Sequence, residues 1–233
     1  MSASKARIRR VYAATGALME AVHPGTGAEW VRRFRRRFIA PASIYESGAH
    51  VLEEMGVHRS DALLLSLVPG IVRSMQLESY GRSPRLGTFA SAAGYLKALF
   101  LGHMYEHFYM LALGPSGRLI ECVLLQKGTT DRAAFYVRHV LREAVRTKAR
   151  ALVIAHNHPN NTLRPSNADV ACTLSLLSAL EPLGIPLLDH VVVADQRAVS
   201  MRQVGMIYEA TWMAQAPEDA LLRGWLEGAP SEF

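Results

Sequence analysis

The spacing of apolar residues changes near residue 85 and divides the chain into two parts. Before that point apolar residues recur every three or four positions, a spacing that predicts helices. The predicted helices cover residues 7–22, 28–38, 43–55 and 60–77. A polar, turn-rich run, RSPRLGT at 82–88, follows them. We therefore predict a small all-helical N-terminal domain over residues 1–82.

The second part alternates short apolar runs with helical stretches. Strand-length runs lie at 105–113, 118–126, 151–155 and 185–194, and helical patterns at 130–148, 167–183 and from a cap at Thr88 or Ser91 to about 101. Residues 151–155 are all apolar, which indicates a strand buried on both faces. This alternation is typical of an α/β fold, so we predict a layered mixed sheet flanked by helices over 88–210 and a C-terminal tail over 211–233.

Positive charge is concentrated in the first part of the chain. The formal net charge is +6, and residues 1–95 hold 13 of the 26 basic but only 7 of the 20 acidic residues. The densest basic run consists of Arg32, Arg33, Arg35, Arg36 and Arg37. Such a run can attract the phosphates of DNA. The alternative, which is the simpler one, is a solvated helix face.

Composition argues against several classes of protein. No apolar stretch reaches the roughly 18 residues that a membrane-spanning helix needs, since the best candidate, 62–72, is interrupted by Pro69 and Gly70. The basic first ten residues precede no apolar core, so we expect no secretory signal. Cys122 and Cys172 cannot form the disulfide framework of a small secreted domain. We expect a cytoplasmic protein that does not contact a membrane.

Candidate chemistry begins where the buried run 151–155 ends. His156 and His158 are one residue apart, so in an extended chain both imidazoles point to the same side. After a loop, Ser166 opens the next predicted helix and Asp169 lies in its first turn. Two imidazoles and a carboxylate are a three-ligand set for Zn²⁺ that leaves a fourth position open to water. The alternative for each histidine is a packed core residue.

These four residues resemble the JAMM metalloprotease signature, His-x-His, seven residues, Ser, two residues, Asp. Four runs narrow the resemblance to the bacterial RadC family: AHNHP at 155–159, RPS at 164–166, LDHV at 188–191 and KGT at 127–129. The resemblance covers about residues 88–207. It implies a JAMM/MPN-like fold, which has a cytidine-deaminase-like architecture.

The resemblance also implies roles for individual residues. His156, His158 and Asp169 would bind one Zn²⁺ per chain with water as the fourth ligand, and Ser166 would stabilise the oxyanion. Glu121, on the strand before the KGT run, is identified with the family's catalytic glutamate. The alternative is that Glu121 is an ion-paired residue on an exposed strand face.

His190, in the LDHV run, has two interpretations. It is either a partner of one of the metal ligands or a packed core histidine, and packing is the simpler of the two.

The implied function is zinc-dependent hydrolysis of a peptide or isopeptide bond in an unidentified polypeptide, with specificity set by loops at 160–164 and 126–131. The alternative is a DNA-associated accessory protein of repair or mobile elements, with a structural or vestigial zinc site. The run Gly56-Val57-His58 resembles the helix-hairpin-helix turn of RadC proteins, with His58 in place of the second glycine. Phosphodiester hydrolysis at the same metal is a third hypothesis.

Overall fold

The computed structural model describes residues 3–128, 133–194, 196–207 and 219–227. The chain forms two compact units, Met1–Val72 and Arg73–Phe233. The division between the units falls inside one continuous helix, Arg59–Ser79, and therefore lies before the predicted boundary at 82–88. Leu77 packs against the core of the second unit, and the Tyr80 ring contacts Tyr95 edge-on at 5.4 Å. These contacts assign the end of the helix to the second unit.

The first unit is all-helical, as predicted. Its helices are α1 (Ala3–Val22), α2 (Gly27–Arg37), α3 (Ala42–Glu46), α4 (Ala49–Glu54) and α5 (Arg59–Ser79), the last of which crosses the division. The helix predicted over 43–55 is two short helices, because Gly48 adopts φ +81° between them. Phe34, Ile44 and Leu52 form the centre of the core. Within the described ranges, none of the helices is both long and apolar enough to cross a membrane.

The second unit is built on a five-stranded mixed sheet of order β2-β1-β3-β4-β5, which confirms the predicted α/β fold. The strands are β1 (His107–Leu113), β2 (Leu119–Lys127), β3 (Ala151–Asn157), β4 (Leu187–Ala194) and β5 (Arg197–Ser200). Only β3 and β4 pair in parallel. All residues of these two strands are buried, because both faces of the sheet are covered.

Helices cover both faces of this sheet. They are α6 (Phe89–Leu99), α7 (Ala133–Thr147), α8 (Asn167–Leu180) and α9 (Ala220–Leu226), with a short 3₁₀ turn at Glu181–Leu183. Side chains alternate along β3, so Val153 packs with α6 and α9 while Ile154 packs with α7 and α8. The chain leaves β3, passes through α8 and returns in parallel β4. The start of α8 therefore lies near the carboxyl end of β3, a common position for sites in α/β sheets.

The described part of the predicted tail, 211–233, belongs to the α/β core and is not a separate segment. Asp219 caps α9 and pairs with Arg150 at 3.0 Å. Trp225 is completely buried, and its indole N–H donates to the Leu86 carbonyl at 3.2 Å. Burial of a tryptophan stabilises a core strongly, which explains why the chain returns here. The rest of the predicted tail lies outside the described residues.

Candidate metal centre

The end of β3 presents two imidazoles to one point, as the sequence predicts. His158 lies just after the strand, but its N–H still donates to the Val193 carbonyl of β4 at 2.9 Å. This hydrogen bond keeps the chain extended, so the Nε2 atoms of His156 and His158 are 2.9 Å apart. His156 is completely buried, whereas His158 is partly accessible. The pair therefore opens toward solvent on the His158 side.

Asp169 completes the predicted set of ligands. Its Oδ1 lies 3.4 Å from His156 Nε2, and its Oδ2 lies 3.8 Å from His158 Nε2. The potential ligand atoms of the three residues all lie within 4.8 Å of one another. Among the described residues, this is the one group of three or more His, Cys, Asp or Glu side chains with that geometry. The cluster could hold a metal ion.

Ser166 positions the Asp169 carboxylate through a capping box at the start of α8. The Ser166 N–H and hydroxyl donate to Asp169 Oδ2 at 2.6 and 2.7 Å, and the Asp169 N–H donates to Ser166 Oγ at 3.2 Å. This motif satisfies backbone donors at a helix N-terminus. The Ser166 hydroxyl thus has a structural partner, and its role toward an oxyanion stays a prediction.

The electrostatics of the cluster favour a charged carboxylate. Burial alone would raise the pKa of Asp169, but the adjacent imidazoles of His156 and His158 and the hydrogen bond from Ser166 outweigh it and hold this pKa far below its usual range. Burial would lower the pKa of His158, but contacts with Asp169 and the Thr162 carbonyl raise it. An ionised carboxylate beside two imidazoles is the donor set that Zn²⁺ takes in catalytic sites, so the residues fit a zinc ion.

His190 contacts a predicted ligand directly, so packing alone does not describe it. Its Nε2 lies 2.8 Å from Nδ1 of His156, and its Nδ1 lies 2.6 Å from the Thr173 hydroxyl. The Phe108 ring lies against both imidazoles, with centroids at 5.9 Å from His156 and 5.4 Å from His190. Burial, followed by the proximity of His156, keeps the pKa of His190 well below its ordinary value. The structure thus shows the contact with His156, and the role of His190 as the partner of a metal ligand stays a prediction.

Glu121 does not lie at the cluster, which corrects the predicted catalytic role. It pairs across the sheet with Ala112, whereas His156 pairs with Phe108. Along the strand direction, Glu121 and His156 are therefore four residues apart, a distance of about 13 Å. The Glu121 carboxylate is 44% exposed and accepts from the Arg146 guanidinium of α7 at 2.7 Å. The alternative interpretation, an ion-paired residue on an exposed face, is the correct one.

Glu106 is a carboxylate near the cluster that sequence reasoning missed. It directly precedes β1, whose Phe108 pairs with His156, and a continuation of that antiparallel register would place Glu106 opposite His158. Its charge contributes to raising the pKa of His158. The Glu106 carbonyl accepts from the Gly128 N–H at 2.7 Å, which ties it to the end of β2. The sequence signal that could have identified Glu106 is an acidic residue directly before an apolar strand.

The predicted basic run lies on α2, and three of its arginines pack on aromatic rings. The guanidinium groups lie 4.2, 4.8 and 5.6 Å from ring centroids, for Arg33 on Trp30, Arg35 on Tyr12 and Arg37 on Phe38. Arg33 also donates to the Met55 carbonyl. Arg32 and Arg36 are exposed. Much of this run therefore has a packing role as well as a charge.

Comparisons with known proteins agree with this architecture. Residues 86–206, just over half of the chain, match the model of the RadC-like JAB domain. A UPF0758 protein of Bordetella avium is 43% identical over 102 residues, which are 44% of this chain and 45% of that protein. UPF0758 proteins of Bordetella petrii and Vibrio parahaemolyticus are 35% and 32% identical over 65% and 66% of this chain, and over 68% and 69% of their own lengths.

Proposed function

Because the chain belongs to the RadC family of proteins with a JAB domain, we propose that it is a zinc-dependent metallopeptidase that hydrolyses a peptide or isopeptide bond. The observation that carries the proposal is the convergence of His156, His158 and Asp169 at an accessible strand end. These residues would hold the ion. When bound, zinc lowers the pKa of a water toward neutrality and polarises a carbonyl group.

The protein's own residues supply the proton transfers that such a hydrolysis needs. Glu106 lies near enough to the partly accessible His158 for its charge to raise the pKa of that imidazole, and a substrate would approach on this side. Its carboxylate would take a proton from the attacking water and return it to the leaving amine. The Ser166 hydroxyl donates its one proton to Asp169 Oδ2 in this structure, and it would turn from this acceptor to donate to the developing oxyanion. The exposed loop at 160–164 borders this space and would contact the substrate.

A direct test is chelator-sensitive cleavage of polypeptides. The zinc-loaded full chain is incubated with unfolded casein and with an isopeptide-linked peptide, and new amino groups are identified by mass spectrometry. We expect cleavage that a chelator abolishes and added zinc restores. Cleavage that persists without metal would contradict the proposal. Zinc-dependent cleavage of plasmid DNA with intact polypeptides would favour phosphodiester hydrolysis instead.

A second candidate function, association with DNA, is favoured by the surface of the helical unit. Arg32 and Arg36 are exposed one turn apart on α2. Arg9, Arg10 and Arg35 line an open groove of about 730 Å³ between α1 and α2. Arginines along a groove are suited to phosphate oxygens. The turn between α4 and α5 contains Gly56 at φ +88°, where the resemblance to the hairpin of RadC proteins has its first glycine.

The salt dependence of DNA binding tests this second candidate. The logarithm of the binding constant should fall with the logarithm of salt concentration by about 0.9 for each phosphate neutralised. We expect Arg32→Gln/Arg36→Gln to reduce that slope by about 2. The control Arg138→Gln/Arg197→Gln removes the same charge from exposed positions of the α/β unit. Weak binding with a flat slope, or equal slopes for both variants, would exclude DNA association through α2.

A further inference from the structure

A chain of buried hydrogen bonds runs behind the metal ligands and connects two of them. His156 Nδ1 lies 2.8 Å from His190 Nε2, and His190 Nδ1 lies 2.6 Å from Thr173 Oγ1. Thr173 Oγ1 lies 2.6 Å from the carbonyl oxygen of Asp169. His190 and Thr173 are both completely inaccessible to solvent. Their polar atoms must therefore be satisfied by one another.

The donor in each of these hydrogen bonds follows from the Asp169 carbonyl, which is the last group in the series. A backbone carbonyl only accepts, so the single Thr173 hydroxyl proton points to Asp169 O. Thr173 Oγ1 then accepts from the N–H at Nδ1 of His190. A neutral imidazole has one N–H, so His190 Nε2 accepts from Nδ1–H of His156.

This proton order leaves Nε2 of His156 without a proton. Nε2 is the atom that faces His158 and Asp169, and a metal needs an unprotonated nitrogen. For His158 the same result is reached by a shorter route, because its Nδ1 donates to the Thr162 carbonyl at 2.8 Å. Each ligand tautomer is thus determined by a backbone carbonyl, directly for His158 and through two side chains for His156.

We infer that Thr173 is a positioning residue of the metal centre, whose hydroxyl sets the tautomer of His156 through His190. The inference rests on the proposed function, in which His156 is a metal ligand. Thr173 follows Asp169 by one turn of α8, so one helix both supplies the carboxylate and orients the first imidazole. Partners of this kind typically change metal affinity by about 10- to 100-fold when they are removed.

The test combines metal affinity with direct observation of the histidine tautomers. Thr173→Val keeps the branched shape but can neither donate to Asp169 O nor accept from His190. We expect its dissociation constant for zinc, measured by competition with a chromophoric chelator, to rise about 10- to 100-fold. In the metal-free protein at mildly alkaline pH, ¹⁵N NMR of the imidazoles should show a proton on Nδ1 of His156 in the wild type and its loss from that atom in the variant.

Two further variants test whether the effect of Thr173→Val comes from the lost hydrogen bonds or from general damage to the fold. Thr173→Ser keeps the hydroxyl and should restore both the affinity and the tautomer. Ser175→Ala removes another hydroxyl of α8, which donates to the Ala171 carbonyl at 2.9 Å as Thr173 donates to the Asp169 carbonyl. Within the described part of the chain, no hydrogen bond joins the Ser175 hydroxyl to a histidine. Ser175→Ala should leave both measurements unchanged.

The inference would be overturned by a wild-type His156 that carries its proton on Nε2, a result that needs no variant. Wild-type affinity and tautomers in Thr173→Val would overturn it equally. Failure of the wild type to bind zinc would instead count against the proposed function. In that case the metal-free NMR spectra still decide whether Thr173 sets the tautomer.

Discussion

The His156→Ala/His158→Ala variant is expected to lose the zinc that the wild-type protein carries after purification from zinc-replete medium. The two substitutions remove both nitrogen ligands and leave only the Asp169 carboxylate of the cluster. Removal of a ligand should weaken zinc binding by more than the roughly 100-fold typical of its outer partners. Metal analysis should give about one zinc per chain for the wild type and almost none for the variant.

The control for this experiment is His50→Ala/His58→Ala, which removes two exposed histidines from the helical unit. It should retain the zinc content of the wild type. Because His156 is completely buried, its replacement also leaves a cavity. His158→Gln, at a side chain that is 13% exposed, therefore separates loss of metal from loss of folding. Equally low zinc in the wild type and in every variant would refute the metal site.

The cluster of His156, His158 and Asp169 could be predicted because it is local in the sequence. His156 and His158 share one strand exit, so the alternation of side chains along a strand is enough to place both on one side. Asp169 belongs to the capping box that begins the next helix, a motif with its own sequence pattern. Neither prediction requires knowledge of which strands are neighbours.

The surroundings of the cluster depend on the order of strands, so the sequence missed Glu106 and left two interpretations of His190 open. Glu106 lies near His158 only because β1 is inserted between β2 and β3. His190 reaches His156 because β4 runs parallel to β3 and places Ile154 opposite it. For Glu121, the alternating pattern identified a strand residue, but no local pattern says which end of the sheet it occupies. The ion pair with Arg146 depends in turn on the packing of α7.

The same dependence on long-range packing explains why the predicted boundary at 82–88 and the predicted tail at 211–233 differ from the observed ends of the α/β unit. A polar run such as 82–88 usually marks a boundary, yet Leu77 before it already packs in the second core. Trp225 fills the core from a segment that follows a stretch with no strong pattern. Both depend on long-range burial of apolar side chains, whose free energy is large but whose partners a local pattern does not identify.

Glu106→Gln is expected to lower kcat/KM for zinc-dependent hydrolysis by about 10²- to 10⁴-fold, the usual contribution of a general base. The amide keeps the size of the side chain but cannot accept a proton from water. Because Glu106 is not a member of the ligand cluster, the variant should retain zinc. Zinc content, circular dichroism and initial rates on the same preparation measure metal, fold and activity separately.

The matched variant is Glu121→Gln, which makes the same chemical change on the neighbouring strand. Its carboxylate contacts Arg146 and lies about 13 Å along the sheet from the position of His156. We therefore expect its kcat/KM to stay within a few-fold of the wild type, since an exposed ion pair contributes at most about 1 kcal/mol to stability. If Glu121→Gln abolished hydrolysis while Glu106→Gln retained it, the general base would be Glu121 and the assignment to Glu106 would be wrong. Equal, large losses in both variants would show that neither acts alone as the base.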